Sequence, residues 1–291
     1  VPLNWIQLDR QNLVNPARAL LYFYLHFRYD IPLNGDIMKI CFKNQKVLVT
    51  GSSRGIGLET ARRFAESGAT VAIHYNNNEQ AADAALKQLQ GKGHIRVQGN
   101  LALPETAEQI INETAERIGG IDILVNNAGI FLESPPLNTD YRTWQQVWEQ
   151  TIQVNLMAPA NLMYCAIQQM KRSDGGKIIN ISSRGAFRGE PDAPAYGASK
   201  GGLNSLSQSM AKALAAEQVY IYTIAPGFVE TDMATDFLAG EKGLEIKNQS
   251  PLGRVASVSD VARTVLFLAS EGSEFLTGGI VDVNGASYLR Q

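Results

Sequence analysis

The chain has 291 residues, with 26 Lys and Arg against 28 Asp and Glu, so its net charge is −2. A composition of 45% hydrophobic and 19% charged residues excludes intrinsic disorder, and the small net charge argues against a nucleic-acid partner. Cys41 and Cys165 are too few for a disulfide framework, and no Cys/His cluster predicts a metal site. We therefore expect a cytoplasmic globular protein that binds no metal.

Residues 1–42 lack the pattern that begins after them and are predicted to form an N-terminal extension, to which we assign no function. The longest apolar run in this segment, Ala19–Phe27, is far shorter than the roughly 20 residues that span a bilayer. No small-residue cleavage site follows the run, so a signal peptide is not expected. We therefore expect no membrane partner.

From residue 43 onward, short β-branched runs alternate with longer amphipathic stretches. This alternation predicts βαβ crossovers, a parallel sheet and helices on both of its faces. We predict an α/β fold in which residues 43–291 form a single doubly wound domain with a seven-stranded sheet flanked by helices. The predicted strands are Lys46–Thr50, Thr70–His74, His94–Gln98, Ile121–Asn126, Lys177–Ser182, Tyr220–Ile224 and Ile280–Val283. The predicted helices are Gly57–Ser67, Asn78–Gln90, Pro104–Ile118, Tyr141–Arg172, Ala195–Glu217 and Ser259–Ser270.

A glycine-rich turn, Thr50-Gly51-Ser52-Ser53-Arg54-Gly55-Ile56-Gly57, joins the first predicted strand to the first predicted helix. Glycines let backbone N–H groups approach a pyrophosphate closely, and the helix N-terminus presents a partial positive charge to it. The G-x-x-x-G-x-G spacing also fits an ordinary strand–helix turn. Its position after a buried strand favours a dinucleotide site.

The end of the second predicted strand indicates which dinucleotide is bound. NAD sites usually carry a carboxylate there, about 20 residues beyond the glycines. Here the sequence reads His74-Tyr75-Asn76-Asn77-Asn78, with no acid before Glu79. A 2′-phosphate would meet no repulsion, and Arg54 offers it a forked donor, although Arg54 also fits a solvated loop residue. The sequence therefore favours NADP(H) over NAD and leaves His74 a structural or surface role.

Tyr196 and Lys200 lie four residues apart near the start of a predicted helix and hence on one helical face. An ammonium about 5 Å from a phenol, at an effective dielectric near 20, favours the phenolate by roughly 3 kcal/mol. That would lower the pKa of Tyr196 by a little over two units, toward the range useful for acid–base catalysis. The same spacing also arises by chance in many helices.

Ser183 and Asn155 are the polar residues placed to assist Tyr196. Ser183 is predicted to close the fifth strand, at the ligand edge of the sheet, and a Gly/Pro-rich loop separates it from Tyr196. We expect both hydroxyls to hydrogen-bond one substrate carbonyl oxygen. Asn is a mediocre helix former, so Asn155 inside a predicted helix is either a satisfied core residue or a functional one.

Together these residues resemble the short-chain dehydrogenases/reductases, and most of all the 3-oxoacyl-acyl-carrier-protein reductases. The resemblance covers about residues 42–288 and includes IAPGFVETDM and GGIVDVNGASY near the C-terminus. It implies a Rossmann-type fold. The matching pieces, in family order, are Thr50-Gly51-x-x-x-Gly55-x-Gly57, Asn126-Asn127-Ala128-Gly129, Asn155, Ser183, Tyr196-x-x-x-Lys200, Pro226-Gly227 and Thr231.

The resemblance also implies residue roles. Tyr196 would be the general acid, and Lys200 would bind the nicotinamide ribose and lower the pKa of Tyr196. Ser183 would orient the carbonyl, and Asn155 would hold a water in a proton relay. Residues 228–250 would form a mobile lid. The implied cofactor contacts are Gly51, Ser53, Arg54, Gly55, Ile56, Gly57, Tyr75, Asn76, Asn100, Leu101, Asn127, Ala128, Gly129, Tyr196, Lys200, Pro226, Gly227, Val229 and Thr231.

These inferences predict an NADP(H)-dependent carbonyl reductase that acts on a small-molecule ketone or, by preference, a 3-oxoacyl thioester. The alternatives are a sugar or polyol dehydrogenase of the same family and a non-catalytic NADP-binding sensor. The resemblance also implies a homotetramer. One departure from the family is the pair Asn100-Leu101, where an acid usually accompanies the adenine amine.

Overall fold

The computed structural model describes residues 40–290 except 232, 233, 235–237 and 239. Most of the predicted N-terminal extension, residues 1–39, therefore lies outside the described residues. Phe42, the last residue of that extension, is buried and packs edge-on against Phe64, with ring centroids 4.7 Å apart. Phe42 thus contributes to the core of the domain.

A wholly parallel sheet forms the centre of the domain, as predicted. Its strands are β1 Lys46–Val49, β2 Thr70–Tyr75, β3 Ile95–Gln98, β4 Ile123–Asn126, β5 Gly176–Ile181, β6 Val219–Pro226 and β7 Ile280–Val283. The seven strands lie in the order β3-β2-β1-β4-β5-β6-β7. Because the winding direction reverses between β1 and β4, a crevice is expected at the carboxyl ends of these two strands.

Helices cover both faces of the sheet. They are α1 Gly55–Glu66, α2 Glu79–Leu86, α3 Thr106–Ile118, α4 Tyr141–Ile152, α5 Ala158–Met170, α6 Gly185–Arg188, α7 Pro194–Leu214, α8 Gly240–Asn248 and α9 Val258–Ala269. Alternate residues of β1 serve two cores. Val47 and Val49 join the cluster that includes Phe64 of α1, whereas Leu48 joins the cluster that includes Leu162 of α5. This period of two explains why the strands read as continuous apolar runs.

Capping residues fix several helix ends. Asp140 accepts hydrogen bonds from the first turn of α4, and Ser257 forms a reciprocal capping box with Asp260 at the start of α9. Gly119 ends α3 in the left-handed region, with φ 83°. These local signals determine where the helices begin and end along the chain.

Some element boundaries differ from the prediction. The predicted helix Tyr141–Arg172 is interrupted by a π-helical segment, Gln153–Met157, because Asn155 bonds outside the helix. Strand β5 ends at Ile181, so Ser183 lies two residues beyond it instead of closing it. Two helices were not predicted. Helix α6 lies in the Gly/Pro-rich loop expected between Ser183 and Tyr196, and helix α8 lies in the segment 228–250 expected to form a lid.

Candidate active site

The glycine turn after β1 is packed so closely that only glycine fits. A Cβ on Gly51, which has φ 60°, would lie 2.9 Å from Cα of Ala128. A Cβ on Gly57 would lie 2.6 Å from both Nδ2 of Asn127 and the carbonyl oxygen of Gly51. The Asn127 amide in turn donates to the carbonyls of Thr50 at 2.8 Å and Gly51 at 3.1 Å. The turn and the end of β4 therefore form one rigid unit.

The N-terminus of α1 faces this turn without a side-chain cap. The cap residue Arg54 is exposed and, within the part of the chain that the structure describes, makes no cap hydrogen bond. No acid occupies the first turn. Gly55 has φ 58°, and a Cβ there would lie 3.6 Å from the methyl group of Thr231. Exposed N–H groups and a positive helix end are the features that bind a phosphate.

His74 of β2 forms a hydrogen bond with the main chain of the glycine turn. Its buried Nδ1 accepts a hydrogen bond from the N–H of Gly51 at 3.0 Å, so the proton lies on Nε2, which donates to the carbonyl of Gly99 at 3.0 Å. The hydroxyl of Ser52 also accepts from the N–H of His74 at 3.1 Å. Burial lowers the pKa of His74 to about 4. This neutral histidine has the structural role expected for it.

We expect the free energy of unfolding to decrease as the pH falls from about 6.5 to about 4. In this window unfolded His74 binds a proton and the folded residue does not, so protonation favours the unfolded chain. Across the full window, the free energy of unfolding should fall by about 3 kcal/mol. Urea unfolding between pH 4 and pH 7.5 measures the effect. A His74→Gln variant should lose this part of the pH dependence, and equal slopes in both proteins would contradict the assignment.

The residues predicted to border the adenosine differ in exposure. The buried Tyr75 hydroxyl accepts from Arg96 at 2.6 Å, and Arg96 also pairs with Glu79. Asn76 is exposed, and Leu101 is buried. The side-chain oxygen of Asn100 accepts from the N–H of Ala102 at 3.0 Å. The Tyr75 hydroxyl is therefore bonded to Arg96, and the Leu101 side chain belongs to the hydrophobic core.

Lys200 and Asn155 come together next to Gly129. A Cβ on Gly129 would lie 3.3 Å from Oδ1 of Asn155 and 3.5 Å from Nζ of Lys200. Nζ of Lys200 donates to the carbonyl of Ile181 at 2.8 Å. Burial lowers the pKa of Lys200 to about 8. The absence of a side chain at position 129 thus lets both buried polar groups approach the main chain closely at the carboxyl edge.

The π-helical segment turns Asn155 toward the loop after β4. Its side-chain oxygen accepts from the N–H of Ile130 at 2.8 Å, and its nitrogen donates to the carbonyl of Ile130 at 2.9 Å. The same nitrogen donates to the hydroxyl of Ser199 at 3.2 Å. Through these bonds the fully buried Asn155 connects α7, which carries Ser199, to the loop after β4.

Tyr196 lies between Ser183, Phe131 and Lys200. Its ring contacts Phe131 edge-on at 5.0 Å, and Nζ of Lys200 is 5.8 Å from the ring centroid. Burial raises the pKa of Tyr196 above its ordinary value, a hydrogen bond with Ser183 opposes the rise, and the charge of Glu190 adds to it. The Ser183 hydroxyl also accepts from the N–H of Gly185 at 3.0 Å.

The prediction that Lys200 lowers the pKa of Tyr196 is wrong for this structure, because burial disfavours both charged forms. The phenolate loses hydration, and the ammonium has a lowered pKa of its own. Sequence reasoning also missed Glu190, Phe131 and Ser199. Glu190 and Phe131 lie in loops whose packing no local motif encodes, and the contact of Ser199, which lies on α7, depends on the distant Asn155.

The segment after β6 completes the edge. The carbonyl of Pro226 accepts from the N–H of Arg184 at 2.8 Å, and Gly227 donates to Val283 at 3.0 Å. Val229 pairs with Ala256 in an isolated parallel bridge. Ser53 and Ile56 are half-buried on the glycine turn.

Between residues 40 and 290, the described helices include none long and apolar enough to cross a bilayer.

A glycine turn at the switch point of a doubly wound sheet, with Ser, Tyr and Lys at the same edge, is the arrangement of a dinucleotide-dependent oxidoreductase. A family model described as enoyl-(acyl carrier protein) reductase matches residues 51–286. The chain belongs to the short-chain dehydrogenase/reductase family and is an oxidoreductase acting on CH–OH or C=O groups.

Named relatives agree with this membership. The chain is 37% identical over 247 residues to the 3-oxoacyl-acyl-carrier-protein reductase FabG of Staphylococcus aureus. The alignment covers 84% of this chain and 98% of that relative. It is 35% identical to a 3alpha-hydroxysteroid dehydrogenase of Mediterraneibacter gnavus, over 86% of this chain and 99% of the relative. The crystal structure of a Sinorhizobium meliloti dehydrogenase/reductase superposes with a TM-score of 0.80 at 30% identity and covers 87% of this chain and 98% of that one.

Proposed function

We propose that this chain is an NADPH-dependent carbonyl reductase that reduces the ketone of a 3-oxoacyl thioester. The observation that carries the proposal is the pairing of the Ser183 hydroxyl with a Tyr196 phenol whose pKa is raised by burial. A phenol with a raised pKa keeps its proton at neutral pH, and ketone reduction requires a proton donor. The thioester is supported by the name of the Staphylococcus relative.

The glycine turn fits a dinucleotide. The tightly packed Gly51 and Gly57, the helix end at Gly55 and the main chain at Gly129 would hold its phosphates and riboses. When bound, reduced nicotinamide supplies a hydride. The remaining cofactor contacts implied by the resemblance belong to the same proposal.

The chain's own groups would handle the proton. The Ser183 oxygen already accepts from Gly185, so its hydroxyl proton is left to point at the substrate carbonyl oxygen. Tyr196 would donate its proton to that oxygen as negative charge develops there. Lys200 has three N–H donors and uses one on Ile181, which leaves two for ribose hydroxyls. Asn155 would hold the loop at Ile130 in place around them and keep a relay water beside Lys200.

A second candidate substrate is a secondary alcohol such as a hydroxysteroid, a sugar or a polyol. The Mediterraneibacter relative, named a 3alpha-hydroxysteroid dehydrogenase, favours this class almost as strongly by identity. The chemistry at Tyr196 would be the same in reverse. A non-catalytic NADP-binding sensor is the remaining alternative, and the presence of Ser183, Tyr196, Lys200 and Asn155 together argues against it.

A substrate panel tests the proposal. Purified full-length protein is assayed at 340 nm with acetoacetyl thioesters, cyclic ketones, sugars and hydroxysteroids, each with NADPH and NADH or their oxidised forms. We expect the highest kcat/KM for the acetoacetyl thioester with NADPH. Faster turnover of a steroid or a sugar would contradict the thioester proposal and favour that compound class as the substrate. No turnover of any compound would overturn the proposal that the chain is a carbonyl reductase.

Arg54→Ala should raise the KM for NADPH by about tenfold, because one charge-assisted hydrogen bond to the 2′-phosphate would be lost. The KM for NADH should stay within about twofold, since NADH has no such phosphate. Steady-state kinetics with both cofactors measure the difference. Arg62→Ala, which removes another arginine of α1 paired with Glu59, is the matched control. Equal increases for both cofactors would refute the role of Arg54.

We also propose that the protein is a cytoplasmic homotetramer. The support is an expectation from the family together with exposed apolar side chains on the helices after β4. Met157 is 43% exposed and Tyr164 is 65% exposed, and such side chains are candidates for burial between subunits.

A further inference from the structure

Arg184 is a buried cation in the loop that carries Ser183. Its side chain is 3% exposed, although it directly follows the proposed catalytic serine and precedes helix α6. Nη1 donates to the hydroxyl of Ser287 at 2.6 Å, and Nη2 donates to the side-chain oxygen of Gln249 at 2.7 Å. The guanidinium carbon lies 5.0 Å from the ring centroid of Phe228.

The partners of this guanidinium are neutral. Among the described residues, Arg184 forms no ion pair within 4.0 Å. Burial, followed by the charge of Arg188, lowers the pKa of Arg184 to about 10, and the more distant Glu190 carboxylate opposes this shift. A buried charge without a paired carboxylate is a poor source of stability, and apolar residues of similar volume often replace such groups without loss. The geometry of the contacts is therefore a better guide to the role of Arg184.

The contacts join three separate parts of the chain. Phe228 begins the segment 228–250, and Gln249 lies at its end. Ser287 belongs to the C-terminal tail, and its hydroxyl would lie 3.4 Å from a Cβ on Gly227. One planar guanidinium thus fixes both ends of the segment and the tail beside it, a task suited to the forked donors of arginine.

The main chain holds Ser183 independently of this side chain. The N–H of Arg184 donates to the carbonyl of Pro226 at 2.8 Å, and Ser183 accepts from Gly185. Removing the guanidinium therefore leaves these two bonds in place. The change should be felt in the segment 228–250 more than at the serine.

We propose that Arg184 is a positioning residue that fixes both ends of the segment 228–250 against the loop that carries Ser183. In this way Arg184 sets the affinity for the ketone substrate. The inference deepens the proposed function and rests on it for the identity of the substrate. It separates binding from chemistry: Arg184 acts on KM, whereas Tyr196 acts on kcat.

The test compares Arg184→Met, Arg184→Lys and the neighbouring control Arg188→Met in the full-length protein. We expect Arg184→Met to raise the KM for acetoacetyl thioester by about tenfold, the value of one charge-assisted hydrogen bond. Its kcat should stay within about threefold. Arg184→Lys keeps a charge but not the fork, so its KM should lie between the two. Arg188→Met should match the parent.

Hydrogen exchange supplies a readout that needs no substrate. Peptides covering residues 226–231 and 246–251 should exchange faster in Arg184→Met than in the parent. In Arg188→Met the same peptides should exchange at the parental rate. Unchanged exchange, or an unchanged KM for the ketone, would overturn the proposal. If the parent reduces no ketone, the proposed function fails, and the exchange data still decide whether Arg184 fixes the segment. If Arg184→Met does not fold, Arg184→Lys carries both measurements.

Discussion

Tyr196→Phe should lower kcat for ketone reduction by about 10²- to 10⁴-fold, the usual contribution of a positioned general acid. The phenyl ring would still pack against Phe131, so only the proton donor is removed. NADPH affinity should remain within about twofold, because the ring itself is retained. Single-turnover kinetics at 340 nm measure the chemical step, and a fluorescence titration measures cofactor binding.

Tyr222 provides a matched control for this change. It is also buried, burial raises its pKa to about 12, and its hydroxyl contacts Ser273 away from the proposed site. Tyr222→Phe should cost about 1 kcal/mol of stability and leave kcat unchanged. Retention of parental turnover in Tyr196→Phe would remove the proton-donor role and the mechanism built on it.

Asn155→Ala should lower the free energy of unfolding by about 3 kcal/mol, because three hydrogen bonds are lost and both main-chain groups of Ile130 lose a partner. Turnover should fall as well, since the loop at Ile130 borders Gly129 and Lys200. Urea denaturation measures the stability, and turnover is measured under conditions in which the variant stays folded.

Asn204 serves as the control for Asn155. It is also a buried asparagine, on α7, but neither its amide oxygen nor its nitrogen has a hydrogen-bond partner among the described residues. Asn204→Ala should therefore change stability by less than about 1 kcal/mol. Similar losses in the two variants would mean that the contacts of Asn155 contribute no more than the volume of its side chain.

The sheet could be predicted from sequence because its information is local. Runs such as Lys46–Val49 and Ile280–Val283 are strongly apolar or β-branched, and turn residues separate them from amphipathic helices. The glycine turn was equally visible, because three glycines within seven residues directly follow the first strand. Its support by His74 was not visible, because the contact depends on the pairing of β1 with β2.

The chemistry of the site was harder to predict. The spacing of Tyr196 and Lys200 correctly indicated that they lie near one another, at 5.8 Å from ammonium to ring. It did not reveal the loss of hydration at this site, which decides the direction of both pKa shifts. Arg184 was invisible for a similar reason: its partners at 249 and 287 lie 65 and 103 positions away in the sequence.

The π-helical segment Gln153–Met157 also constrains how this chain can change in length. Deleting a single residue there would let the backbone relax into a regular α-helix, in which each residue turns by about 100°. Helix α4 would then rotate by about that angle relative to α5, and the aromatic pair Trp144 and Trp148 would face a different direction. Insertions and deletions among homologues should therefore avoid positions 153–157 and collect in the loops before α4 and after α5.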